Sequence, residues 1–223
     1  TPAGYNWEIV PQGNGQGVGV VASGNSATTS AVATGLTVST LYDLYVQTDC
    51  GGTDQSAWAM ITFITDYCLP SGTSASTYID SFSTTLGATN ITNSISGFSL
   101  ANYGNFTTLS TSVGSTQSFN FNVVIVGGTA GCAIWVDWGN DYSFDAADMV
   151  FSTTSYGNGP FTGTITVPAA TPNGNYRMRV MTDFNDNNPG DDNACSFGFG
   201  RGEVEDYIVT VDNALASQYF DNN

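Results

Sequence analysis

Short runs of alternating apolar and polar residues recur along the chain: YNWEIV (5–10), LYDLYVQT (41–48), AWAMITFIT (57–65), SFNFNVVIV (118–126), CAIWVDW (132–138), FTGTITVP (161–168), YRMRVMT (176–182) and EDYIVTV (205–211). Side chains of a strand point to its two faces in turn, so a period of two marks a surface buried on one side. Gly, Asn, Ser and Asp bound these runs and supply turns. No window carries a 3.6-residue apolar stripe longer than two turns, so no long helix is expected. The pattern predicts an all-β chain made of two consecutive β-sandwich domains. A break falls at TDYCLPSG (65–72), where Pro70 and Gly72 follow the run AWAMITFIT and a Ser/Thr-rich segment begins. It divides the chain into residues 1–66, residues 67–212 and a linker or tail, 213–223.

Length adds little: 223 residues with 41% hydrophobic content suffice for two modest cores. Charge adds more. Only 10% of residues are charged, so the polar surface is built from Ser, Thr, Asn and Gly. Nineteen acids stand against three cations, Arg177, Arg179 and Arg201, and the chain has no lysine and no histidine. A net charge of −16 disfavours nucleic acid and anionic membranes and attracts divalent cations. Without histidine or lysine there is no Ser-His-Asp triad, no His-ligated zinc and no Schiff base. Only a carboxylate pair or a carboxylate-bound metal remains for catalysis. Cys50, Cys68, Cys132 and Cys195 show no CxxC spacing, which favours disulfides in an oxidising compartment over zinc. No run approaches the roughly 18 apolar residues of a membrane span, so no membrane insertion is expected. With no signal peptide in view, the chain is expected to be a mature fragment of a secreted protein.

Residues 35–65, GLTVSTLYDLYVQTDCGGTDQSAWAMITFIT, carry the pattern Gly-Leu-x-x-x-Thr-x-Tyr ahead of a strand. This region resembles the second half of a fibronectin type III domain, over about residues 4–65. The resemblance implies that the Tyr42 hydroxyl ties back to backbone near Leu36, with Leu44 and Val46 on its inward face and Trp58 packing from the next strand. It also implies two further strands ahead of YNWEIV, so the first sandwich is expected to lack its N-terminal strands and Cys50 to have its partner upstream.

Four blocks follow in order: YC (67–68), IWVDWGNDYSFDAAD (134–148), FTGTITVPAATPNGNYRMRV (161–180) and CSFGFGRGEVEDYIVTV (195–211). Together they resemble the GEVED domain of secreted multidomain proteins of Bacteroidota, named for the pentapeptide at 202–206. The resemblance covers residues 67–212. It implies a β-sandwich found beside fibronectin type III repeats in adhesins and secreted hydrolases, many exported by type IX secretion. It further implies a Cys68–Cys195 disulfide, because cysteines occur together at these two positions. Cys132–Cys195 is the alternative, and Cys132 otherwise reads as a buried thiol.

Candidate chemistry is confined to carboxylates. In DWGNDYSFDAAD, Asp137, Asp141, Ser143, Asp145 and Asp148 fall at positions 1, 5, 7, 9 and 12 of a calcium-loop spacing. The loop departs from the family's Asp-Trp-Asn-x-Asp-Gly-Asp at Gly139, Tyr142 and Ser143, losing two side-chain ligands and the turn glycine. In DFNDNNPGDD (183–192), Asp183, Asn185, Asn187 and Asp191 take positions 1, 3, 5 and 9, a spacing shared with an Asn/Asp/Gly/Pro turn. Calcium is the cofactor these loops suggest. Arg177 and Arg179 share one face of their strand, and Glu203 and Glu205 share the face that continues through Tyr207 and Val209. A buried carboxylate needs a partner, so an ion pair among these four is expected, with Arg179 on one glutamate. Trp7, Trp138, Tyr142, Phe144 and Phe184 are candidates for sugar stacking, against the plainer reading of Trp138 and Phe144 as core or loop anchors. The expected protein is not an enzyme. It is a module pair at the cell surface or outside the cell, adhesive or spacing. Its partners would be a glycan, a protein surface or neighbouring copies of itself. A carbohydrate-binding accessory region of a hydrolase and a filament subunit completed by strand addition are the alternatives.

Overall fold

The computed structural model describes residues 3–37, 40–51, 54–189 and 194–218. The chain divides into two compact units, Thr1–Tyr67 and Cys68–Asn223. Nearly all regular structure is β.

The first unit is one antiparallel sheet of β1 (Gly4–Pro11), β2 (Ala22–Ser26), β3 (Leu41–Asp49) and β4 (Ala59–Ile64), in the order β2-β1-β3-β4. Trp7 stands opposite Val46 and Ile9 opposite Leu44, and Leu44 in turn stands opposite Ile61. Alternation therefore gathers Tyr5, Trp7, Ile9, Tyr42, Leu44, Val46, Ile61 and Phe63 on one face. Glu8 and Asp43 lie on the other and organise the turn after β1. The Glu8 carboxylate accepts the Gly17 amide and the Gln16 side chain, and Asp43 accepts the Gly13 amide at 2.8 Å and the Thr62 hydroxyl at 2.6 Å. The Thr62 hydroxyl, then the Gly13 amide, hold the Asp43 carboxyl below its usual range. The Tyr42 hydroxyl accepts the Thr37 amide at 3.0 Å, fastening the start of β3 to the segment before it.

The second unit is a sandwich. Its strands are β5 (Tyr78–Thr85), β6 (Thr92–Ser94), β7 (Tyr103–Val113), β8 (Ser118–Val126), β9 (Ala130–Val136), β10 (Met149–Ser152), β11 (Phe161–Thr166), β12 (Gly174–Phe184) and β13 (Gly202–Val211), followed by a short helix, α1 (Asn213–Gln218). One sheet runs β10-β9-β12-β13-β7 and the other β11-β8-β5-β6. Pairing is antiparallel except between β13 and β7. The core lies between the sheets: Phe82, Phe119, Phe121, Val123 and Ile165 from one meet Ile134, Val136, Met178, Val180, Tyr207 and Val209 from the other. β9 is buried at every residue, as its unbroken apolar run AGCAIWV requires of a strand covered on both faces. Gly127 turns the chain from β8 to β9 at φ +94°, and a Cβ there would strike the Ser76 carbonyl.

Candidate functional site

The pentapeptide Gly202–Asp206, buried at all five residues, opens β13. Gly202 lets the Thr182 carbonyl approach to a distance that any Cβ would forbid, and its own carbonyl accepts the Asn102 side-chain amide at 2.6 Å. The three acids that follow are all at 0% exposure, yet each meets a different environment.

Asp206 faces away from the sandwich core. Its Oδ1 accepts Arg179 Nε–H at 2.8 Å. Its Oδ2 accepts a second Arg179 N–H at 2.9 Å, Arg177 at 3.2 Å and the Tyr103 hydroxyl at 2.9 Å. Arg179 is itself fully buried and spends its remaining terminal nitrogen on the carbonyls of Cys68 and Ala194, each at 2.9 Å. Phe144 covers the guanidinium at 4.6 Å. The Cys68–Cys195 disulfide closes over it, with the Cys68 sulfur 3.4 Å from the same nitrogen. Burial, and then the Asp206 charge, push the Tyr103 phenol up to about 12.

Glu203 and Glu205 face the core. Glu203 accepts the backbone amides of Ile79, at 2.7 Å, and Ser99. Burial still raises its pKa against those bonds. Glu205 accepts the Tyr207 hydroxyl at 2.6 Å through Oε2, and Asn93 donates to that hydroxyl at 2.8 Å. Its Oε1 has no hydrogen-bond partner among the described residues. Ser96 lies nearby, but its hydroxyl donates to the carbonyls of Ile79 and Asp80. Burial in this apolar setting pushes the Glu205 carboxyl up to about 8, with the neighbouring Glu203 charge adding to the rise and the Tyr207 bond opposing it.

The arginine pair expected on Glu203 or Glu205 therefore belongs to Asp206. Register is the reason. Arg179 stands opposite Asp206 across the β12–β13 ladder, while Glu205 stands opposite Val180 and Glu203 opposite Thr182. Directly opposed residues share a face, so Arg177 and Arg179 cannot meet the odd-numbered acids of β13. A signal for this was present. Tyr207, Val209 and Val211 must lie on the same side as Tyr176, Met178 and Val180 for one core to form, and that alignment puts the arginines with Asp206.

The two acidic loops are built as turns. The Asp137 carboxylate accepts the amides of Asp141 at 3.2 Å and Tyr142 at 3.0 Å; Asp141 accepts Ser143 N–H, Asp145 accepts Ala147 N–H, and Asp148 accepts Asp145 N–H. Asn140 and Tyr142 are left-handed. Burial pushes the Asp148 carboxyl up, and the charges of Asp145, Asp137 and Asp141 push it further against the Asp145 amide. In the second loop Asp183 accepts Gly198 N–H at 2.7 Å, Asn185 accepts the Thr129 hydroxyl, and Asn187 accepts Tyr156 N–H at 3.2 Å. Asp191 lies outside the described residues. Among the described residues no three acidic or cysteine side chains are gathered to hold a metal ion.

The aromatic candidates divide. Trp138 packs on Tyr176, Phe144 on Arg179, and Phe184 lies 3.7 Å beneath the Arg201 guanidinium, all as anchors. Tyr142 is exposed. Trp7 lines a cavity of about 500 Å³ on the apolar face of the first sheet, between Tyr5, Ile9, Leu44 and Val46 and the segment from Ser26 to Ala33. Cys50 is an exposed free thiol and Cys132 a buried one whose pKa is raised by desolvation. No helix of the described residues is long and apolar enough to cross a membrane.

No curated protein matches the sequence. Among solved structures, the chain is similar to a biofilm-associated protein's BSP domain, at 10% identity and TM-score 0.25, over 96% of this chain and 25% of that one. It is also similar to the FN1–FN3 domains of chicken CNTN1, at 14% identity and TM-score 0.27, over 93% of this chain and 55% of that one. The chain thus spans a quarter to about half of the length of these structures. Residues 131–210, from β9 through the signature strand, match the family model of the GEVED domain.

Proposed function

We propose that this chain is a non-catalytic pair of modules in a larger secreted or cell-surface protein, where it acts in adhesion or as a spacer. The observation that carries this reading is the fate of the signature acids. Glu203, Glu205 and Asp206 are fully buried and committed to two amides, a tyrosine and an arginine pair, which are structural roles. A disulfide and an almost wholly β architecture suit an oxidising exterior. The Tyr42–Thr37 bond supports a fibronectin type III-like first module, and the match over residues 131–210 supports a GEVED-type second one.

The test is to immobilise the purified chain and measure both retention and turnover of extracellular polysaccharides and proteins. Retention without turnover, unchanged in Glu203→Gln and Glu205→Gln chains that still fold, supports the reading. Hydrolysis that disappears in either variant while folding is intact would overturn it.

A further inference from the structure

The two edges of the first sheet differ in chemistry. β2 reads ASGNS, short and polar. β4 reads AMITFI, with no charge, no proline and no glycine. Met60 is 55% exposed and Ile61 63% exposed, and as sequence neighbours they sit on opposite faces of the strand. Among the described residues β4 pairs only with β3, so every second N–H and C=O along it points outward. Soluble proteins usually blunt such an edge with lysine, proline, an inward charge or a bulge. The chain has no lysine, and the β3–β4 register runs from Leu41↔Ile64 to Val46↔Ala59 without a shift. Among the described residues none of these devices is present on β4.

We propose that β4 is a strand-addition interface whose occupant is β4 of a second copy of this chain. Unsatisfied backbone groups at strand spacing select another strand. Antiparallel pairing about a two-fold axis normal to the sheet puts a residue opposite its own counterpart. That geometry keeps both apolar faces on the same side, so the surface of Trp7, Leu44, Val46 and Ile61 continues from one copy into the next. Charge permits this contact. β4 carries none, and the nearest strand acid, Asp43, lies one strand back with its carboxylate tied to Thr62 and Gly13. Five of the 19 acids and none of the three cations precede residue 67. The copies still repel at long range, which gives the contact a sign: added salt strengthens it, whereas a cationic partner would be released by salt.

The experiment is sedimentation of the full chain over a concentration series at low and high salt, with hydrogen exchange of the β4 amides on the same samples. The expected result is a dimer favoured by salt, with β4 protection rising with concentration. Ile61→Lys, at an exposed position, should weaken association about tenfold or more, with the melting curve unchanged at concentrations where the chain is monomeric, because two lysines then crowd the axis. Met60→Lys provides the same check from the other face. A chain that stays monomeric throughout, with β4 exchange independent of concentration, would overturn the proposal. So would a dimer indifferent to both substitutions, which would place the contact elsewhere. A monomer whose β4 amides are protected only by an added AMITFI peptide would assign the edge to a strand from a different protein, and would also overturn it. Retention of glycans or proteins by the Ile61→Lys chain reports separately on the adhesive reading.

Discussion

Glu205 and Asp206 are adjacent in sequence and differ in almost every physical respect. Asp206 has cations and a phenol around it, so removing one partner strands a buried charge. Asp206→Asn and Arg179→Met should each cost about 3–5 kcal/mol, and the double change less than the sum, measured by denaturant unfolding. Among the described residues no cation is paired with Glu205. Its folded pKa of about 8 lies above the unfolded value of 4.5, so the folded state holds a proton that the unfolded state has lost. Below the unfolded value this costs nothing. Between pH 4.5 and 8 its contribution to stability falls by about 1.4 kcal/mol per pH unit, and above 8 the loss is complete. Glu205→Gln should therefore change stability little at pH 5 and raise it at pH 8; equal effects at both would show that the carboxyl is already ionised in the folded chain. Both roles were half legible in the sequence. Alternation separates Glu205 from Asp206, but which face meets the arginines depends on register, and the segment from Asn185 to Arg201 is too long a connection to fix register by turn type.

At the scale of elements, strands with apolar alternation were plain to read. β1, β3, β4, β8, β9, β11, β12 and β13 all fall on the runs that the pattern marks. β5 and β7 were not, because YIDSFSTT and YGNFTTLSTSV place Ser and Thr where a hydrophobic pattern needs Val or Ile. Their threonines serve the fold by hydrogen bonding: the Thr84 side chain accepts the Ile91 amide, and Thr111 donates to the Thr89 carbonyl. The acidic loops show the same ambiguity in another form. Asp at alternate positions suits an ion and suits a backbone amide equally well. Since Asp137 and Asp148 already accept amides, the loop at 137–148 should hold its shape without metal. Melting curves in calcium and in chelator should coincide for the native chain and for an Asp145→Asn chain alike. A calcium-dependent rise would mean that the loop trades its amides for the ion. In the first unit, Tyr42→Phe should cost about 1 kcal/mol by freeing the Thr37 amide, read as a shift in its unfolding midpoint.

For the whole molecule, the Cys68–Cys195 bond spans 127 residues, a closure worth about 5 kcal/mol in the chain-entropy model. It also roofs the Arg179 site, so reduction and Arg179→Met should be less than additive in thermal unfolding. There is a mechanical consequence. Stretch the chain by its two ends, and tension arriving at Cys68 passes through the sulfurs to Cys195 and on along β13, bypassing everything between. That bypassed length, about 440 Å at full extension, cannot be paid out while the bond is intact. β13 is left as the loaded strand, pulled along its own axis, while its neighbours β12 and β7 lie within the bypassed segment and carry no load. Single-molecule pulling should show a short extension on rupture of the second unit under oxidising conditions. With reductant the same event should lengthen by about 440 Å. A tether built this way limits its own stretch, yielding a little under load and then holding.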